Sequence, residues 1–192
     1  VRDVNKFSNN VMARQLYLTI AAEIGGPPAR PELALVAIRQ VLISRGIKAP
    51  ELVLENGSGL SRVERASAGT IAAVLHAAWR SAVMPEFMSS LPVVAADGTM
   101  KKRLLGAGIA GNAHIKTGLL QDVRSIAGYV LDRQGRRYLV VMLINHPRAS
   151  SEGEPVLNAM LEWVYEGVSG RSATTSRAGA KVRPPSAGPQ RP

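Results

Sequence analysis

Apolar residues at Val4, Phe7, Val11, Leu16, Ile20 and Ile24 recur at roughly helical spacing and predict a helix over 3–24. Gly25, Gly26, Pro27 and Pro28 end it, because neither residue type sustains a helical hydrogen-bond ladder. Leu33, Leu35, Val36, Ile38, Val41, Leu42 and Ile43 predict a second helix over 31–46. A short apolar stretch then runs into the glycine-rich turn of "LVLENGSGLSR", residues 52–62. "SAGTIAAVLHAAWRSAV" predicts a third helix over 67–83, with Ser67 as its cap. Loop and short helix follow, with a turn at Gly98.

From residue 113 the pattern becomes strand-like. "AHIKTGLL" (113–120) and "RSIAGYVLD" (124–132) read as strands, and Gly135 marks a hairpin loop at 133–135. "RRYLVVMLIN" (136–145) is apolar on both faces, so it is expected to be central or covered on both sides. Val156, Leu157, Met160, Leu161, Val164 and Tyr165 predict a final amphipathic helix over 154–167. Helices, then three antiparallel strands, then a helix make an α+β layout. No internal repeat is visible.

With 192 residues, 46% of them hydrophobic, the chain is long enough for one domain with a real core. The absence of cysteine excludes disulfides and thiolate zinc sites. No run of about 18 apolar residues offers a membrane span. The net charge of +10 suggests nucleic acid at first sight, but five of the basic residues lie beyond residue 167, where there is no acid. The remaining 19 basic and 14 acidic residues carry only +5. Aromatic residues for base stacking are scarce at 4%, so no nucleic-acid partner is expected. Residues 168–192, rich in Ser, Gly, Pro and Ala, read as a disordered, solubilising tail. The chain starts at Val1 inside a helical pattern and without a signal-peptide pattern. A processed chain or a fragment is expected on that ground.

Candidate chemistry sits in three places. Lys116, Thr117 and Gly118 put a charge, a hydroxyl and a missing side chain in a row on a strand. One reading is the end of an edge strand, with the lysine guarding against aggregation. The other is a carboxylate-binding strand. There the lysine is a fixed positive charge, the threonine adds a hydrogen bond, and the glycine lets a peptide backbone lie close. Ser8, Asn9 and Asn10 interrupt the first helix pattern with small polar residues. They are either an N-cap or a kink presenting a hydroxyl and a carboxamide to a cleft. "ENGSGLSR" (55–62) suits a tight turn but fails as a phosphate loop, lacking the G-x-x-x-x-G-K pattern. It also fails as a G-x-S-x-G elbow, because Gly57 and Gly59 are two apart where four are needed. His76 is expected to be partly buried in its helix, His114 to be a packed edge residue or to border the cleft, and His146 to lie in a loop before Pro147. Glu64 and Arg65 read as an ion pair at a helix start. No metal or other cofactor is expected, since no pair of histidines has ligand spacing.

Taken in order, Ser8-Asn9-Asn10, Asn56-Gly57-Ser58-Gly59-Leu60-Ser61-Arg62 and Lys116-Thr117-Gly118 resemble the penicillin-binding D-alanyl-D-alanine carboxypeptidases of the DacB type (penicillin-binding protein 4, peptidase family S13). The likeness covers about residues 1–167 and leaves out the tail. It implies the C-terminal part of a catalytic domain of the penicillin-binding transpeptidase/β-lactamase-like fold. It also implies a periplasmic location and serine-type carboxypeptidase or endopeptidase action, through an acyl-enzyme, on a peptidoglycan stem peptide ending in D-Ala-D-Ala, with β-lactam antibiotics acylating the same nucleophilic serine. The resemblance assigns Ser8 to proton relay, Asn10 to the substrate amide, Lys116 and Thr117 to the terminal carboxylate, and the Leu119 N–H to half of an oxyanion hole. Gly118 belongs to the same binding strand.

Two departures qualify the likeness. No serine in the chain has a lysine three residues on; Ser44 meets Lys48 one position too late. The nucleophile of the family's S-x-x-K motif is therefore expected upstream of Val1, and the chain alone is expected to be inactive with an unpaired sheet edge. The second departure is Leu119, where the family usually carries Thr or Ser. A non-catalytic peptidoglycan-peptide or β-lactam binding module, or an inactive gene remnant, is the alternative to an enzyme.

Overall fold

The computed structural model describes residues 1–167, so the tail expected beyond them lies outside the described residues. Its architecture is the α+β arrangement expected from the sequence. Helices α1 (Arg2–Phe7), α2 (Asn10–Gly25), α3 (Pro31–Ser44), α4 (Ala68–Trp79) and α5 (Met84–Ser90) precede a 3-10 turn at Gly98–Met100. Strands β1 (Ala113–Leu120), β2 (Val123–Leu131) and β3 (Arg137–Asn145) follow, and α6 (Ala149–Glu166) closes the described chain.

The sheet is antiparallel throughout in the order β1-β2-β3, with Lys116 opposite Ala127 and Leu119 opposite Arg124. Cross-strand partners share a face, so His114, Lys116 and Gly118 lie on the side of Ser125, Ala127 and Tyr129. Thr117 and Leu119 lie on the other side with Arg124 and Ile126. That second side holds the main core, where Ile115, Ile126, Val130 and Val140 pack on Leu157, Leu161 and Val164 of α6. Leu75 of α4 and Leu91, just past α5, cover part of the first side around Tyr129. The Tyr129 hydroxyl is buried and donates to the Leu75 carbonyl at 2.6 Å. A smaller cluster, Tyr17, Ala21 and Ala34, joins α2 to α3.

Several expectations change. The helix expected over 3–24 is two helices, broken because Ser8 takes a left-handed conformation (φ 53°, ψ 48°). Asn9 caps α2 by accepting the Met12 N–H at 3.0 Å. The helix expected over 67–83 stops at Trp79, while Ser67 caps it as expected by accepting the Thr70 N–H. The last helix begins at Ala149, five residues early, where "SSEG" carries no apolar period to announce it. β3 has helices on both faces but is the outer strand: among the described residues its far edge pairs with nothing, and β2 is central. His76 is exposed, and His114 is a packed residue, its Nδ1 3.1 Å from the Met88 carbonyl. Burial lowers the His114 pKa.

The outer edge of β1 decides where a ligand fits. Its first half is occupied, with Val94 donating to the Ala113 carbonyl at 3.0 Å and Ile115 donating to the Pro92 carbonyl at 2.7 Å. Backbone polar groups alternate sides along a strand, so Thr117 and Leu119 also direct theirs outward. There, among the described residues, no further strand lies alongside.

Candidate active site

A cavity of about 500 Å³ opens along that free edge. Ser8, Asn10, Lys116, Thr117, Gly118 and Leu119 all line it, although the first two are more than 100 residues from the rest. Lys116 Nζ donates to Ser8 Oγ at 2.8 Å and to the Thr117 carbonyl at 2.7 Å. Its burial lowers its pKa, since desolvation disfavours the ammonium. The lysine is therefore a partly desolvated cation held against a hydroxyl, where an anion is attracted more strongly than in open water.

Ser8 reaches this place through its backbone. A left-handed non-glycine residue costs roughly 1–2 kcal/mol, and here the turn directs the hydroxyl between α1 and α2 toward β1. Neighbouring contacts hold the turn. The buried Lys6 ammonium donates to Asp97 Oδ2 at 2.5 Å, and Asp97 Oδ1 accepts the Val93 N–H at 2.7 Å. Burial alone works to raise the Asp97 pKa; the Lys6 ammonium and the Val93 N–H outweigh it, and the pKa is lowered. Gly98 sits at φ 54° directly against the Lys6 carbonyl, too close for any side chain. Next to it, Thr99 Oγ1 accepts from Thr117 Oγ1 at 2.8 Å. The Ser8 turn, the 97–99 turn and β1 are thus tied into one unit.

Asn10 is fixed from a third direction. Its Nδ2 donates to the Ser58 carbonyl at 2.6 Å. The loop carrying Ser58 is organised by Glu64, whose Oε1 accepts the N–H groups of Glu55, Asn56 and Gly57 at 3.0–3.2 Å. This replaces the ion pair expected between Glu64 and Arg65: the Arg65 guanidinium instead donates to the Arg62 carbonyl, and no helix starts there. Gly57, at φ 67°, lies flat on Tyr17, where a Cβ would come within 2.6 Å of the tyrosine Cβ. At Gly118 the space a Cβ would need is filled by the Ser125 hydroxyl, so that glycine first serves the strand pairing.

Sequence reasoning missed four residues here. Thr99, Arg103, Arg124 and Glu154 also line the cavity, brought in by the turn after Asp97, by β2 and by α6. Only the three-dimensional pairing of those elements puts them beside Thr117. Among the described residues no group of His, Cys, Asp and Glu could hold a metal ion, and no helix is long and apolar enough to cross a membrane. Chemically the site offers a desolvated ammonium, hydroxyls at Ser8, Thr99 and Thr117, a carboxamide and an outward backbone N–H at Leu119. That set suits an extended, carboxylate-terminated peptide laid along a strand edge.

Comparison with known proteins points the same way. The family model for D-Ala-D-Ala carboxypeptidase 3 (S13) matches residues 1–166. D-alanyl-D-alanine carboxypeptidase DacB of Haemophilus influenzae is 29% identical over 147 residues, which is 76% of this chain and 31% of that protein. A D-alanyl-D-alanine carboxypeptidase of Actinomadura sp. is 32% identical over 146 residues, 73% of this chain and 27% of its own length. The crystal structure of penicillin-binding protein 4 (dacB) from Haemophilus influenzae in complex with a β-lactam superposes with a TM-score of 0.77 at 25% identity. The match takes in 87% of this chain and 40% of that one. The chain spans about a third of the length of these curated relatives.

Proposed function

The chain belongs to the D-Ala-D-Ala carboxypeptidase 3 (S13) family, and from that premise we propose that it carries the substrate-binding part of a serine-type D-Ala-D-Ala carboxypeptidase. The substrate is a peptidoglycan stem peptide, laid along the free edge of β1 with its terminal carboxylate on Lys116 and Thr117. The observation that carries this reading is the 2.8 Å bond from Lys116 Nζ to Ser8 Oγ, which joins two motifs 108 residues apart.

The roles follow from the chemistry of each group. A nucleophilic serine attacks the carbonyl carbon between the two D-alanines. The developing oxyanion takes the Leu119 N–H, a donor whose loss costs about 10²–10³ in rate in comparable sites. Ser8 passes a proton to the leaving D-alanine nitrogen, with Lys116 polarising its hydroxyl. Asn10 hydrogen-bonds the amide carbonyl of the peptide, and Gly118 belongs to the strand along which the peptide backbone runs. Water then cleaves the ester and restores the serine. Residues 1–192 contain no Ser-x-x-Lys, so the nucleophile and its lysine come from a segment outside them. β-Lactams are taken as substrate mimics at the same place. The stem peptide lies outside the cytoplasm, and a periplasmic location is the one that goes with this reading.

For the 192-residue chain acting alone, the lack of a Ser-x-x-Lys favours a second reading, binding of such peptides or β-lactams without turnover. One assay separates the two: release of D-alanine from an acyl-Lys-D-Ala-D-Ala peptide by the full-length protein and by residues 1–192. Release by the full-length protein only is expected. Release by neither would leave a binding module.

A further inference from the structure

Thr117 and Leu119 share a strand face at the mouth of the cavity, and Leu119, more than half exposed, offers no side-chain hydrogen-bond donor there. Directly opposite Leu119 on β2, on the same face, stands Arg124, which lines the cavity. Its Nη1 donates to the Ser150 carbonyl at 2.9 Å, and its Nη2 pairs with Glu154 Oε2. Glu154 is shared: its Oε1 lies 3.9 Å from Nε of Arg103, a buried arginine that also donates from Nε to Asn158 Oδ1 at 3.0 Å. Helix α6 is cut away to seat Arg124, because a Cβ on Gly153 would come within 3.0 Å of the Arg124 Cβ.

Two guanidinium groups therefore share one carboxylate beside the Thr117–Thr99 hydroxyl pair. One positive charge is left over, on arginine side chains that are only 8% and 17% exposed. The Arg124 Nε makes no hydrogen bond among the described residues. An incoming carboxylate completes the set: it takes Arg124, and Glu154 keeps Arg103. Guanidinium is the group best matched to a planar carboxylate.

We propose that Arg124 is a specificity-determining residue that binds the terminal carboxylate of the peptide or β-lactam where Leu119 supplies no donor, in competition with Glu154, which pairs with it in the empty site and keeps Arg103 when the ligand binds. The inference rests on the function proposed above and adds to it the residue that selects for a free carboxylate.

The test is acylation of the full-length protein by penicillin G and by its methyl ester, in wild type, Arg124→Gln and Glu154→Gln. Losing a charge-assisted hydrogen bond is expected to slow R124Q about 10- to 100-fold with the free acid and less than about 3-fold with the ester. E154Q, which releases Arg124, is expected to react faster with the free acid and unchanged with the ester. A purely structural role would slow both variants, on both compounds alike. Equal losses on acid and ester, no loss in R124Q, or a slower E154Q would each overturn the assignment while leaving the proposed function standing. If R124Q does not fold, the sign of the E154Q effect decides. A wild type that neither compound acylates would overturn both the function and the role of Arg124.

Discussion

Asp97→Asn isolates the clamp that sets the position of Ser8. Asparagine keeps the size of the side chain and can still accept the Val93 N–H, so the substitution removes the charge opposite Lys6. Lys6 has a side chain only 5% exposed, whereas that of Asp97 is 44% exposed. Stripping the partner from a fully buried ion costs roughly 3–5 kcal/mol, and a surface pair is worth at most about 1 kcal/mol. One buried and one half-exposed partner place the loss between them, at about 1–3 kcal/mol. The pH dependence has a definite sign. The Asp97 pKa is lowered in the folded state from an ordinary value of 3.8. Its contribution is therefore fully present above that value and is lost as pH falls through the lowered one. Urea unfolding of wild type and D97N at pH 7 is expected to show the full gap, and the gap is expected to shrink below about pH 4. Acylation by penicillin is expected to fall in parallel, because the Ser8 turn loosens. Equal stability at pH 7, or a gap undiminished in acid, would refute the clamp.

Three other substitutions test separate parts of the structure. Glu64→Gln weakens the acceptor of three backbone N–H groups, so the loop holding Asn10 should loosen, at a cost of about 1–3 kcal/mol in urea unfolding. Tyr129→Phe removes the buried hydroxyl that donates to the Leu75 carbonyl and should cost about 1–2 kcal/mol, with penicillin acylation unchanged. Lys116→Met removes the cation from the cavity; acylation should fall at least about 10-fold, and more with the free acid than with a carboxylate ester.

The strands and most helix ends were legible because their signals are local. β1 ends within a residue of the alternating stretch, and Ser67 caps α4 as its side chain requires. The six candidate residues were legible as motifs, and the fold brings all six to one cavity. Four features were not legible, for different reasons. The break at Ser8 depends on a backbone conformation stabilised by contacts with Asp97 and Lys116, far away in sequence. Glu64 next to Arg65 suggests a pair, yet a carboxylate gains more from three converging N–H groups than from one exposed guanidinium. Arg124 and Glu154 belong to different elements, and their meeting beside Thr117 depends on how α6 crosses the sheet. The apolar character of β3 signalled cover on both faces, which it has, but carries no information about which strands lie beside it.

The central claim is that Ser8, Asn10, Lys116 and the Leu119 N–H surround a serine nucleophile supplied from outside residues 1–192. Labelling the full-length protein with penicillin and locating the adduct by peptide mass spectrometry tests it most directly. A single acyl group on the serine of a Ser-x-x-Lys sequence outside residues 1–192 is the predicted result. An adduct on Ser8, or no adduct at all, would contradict it.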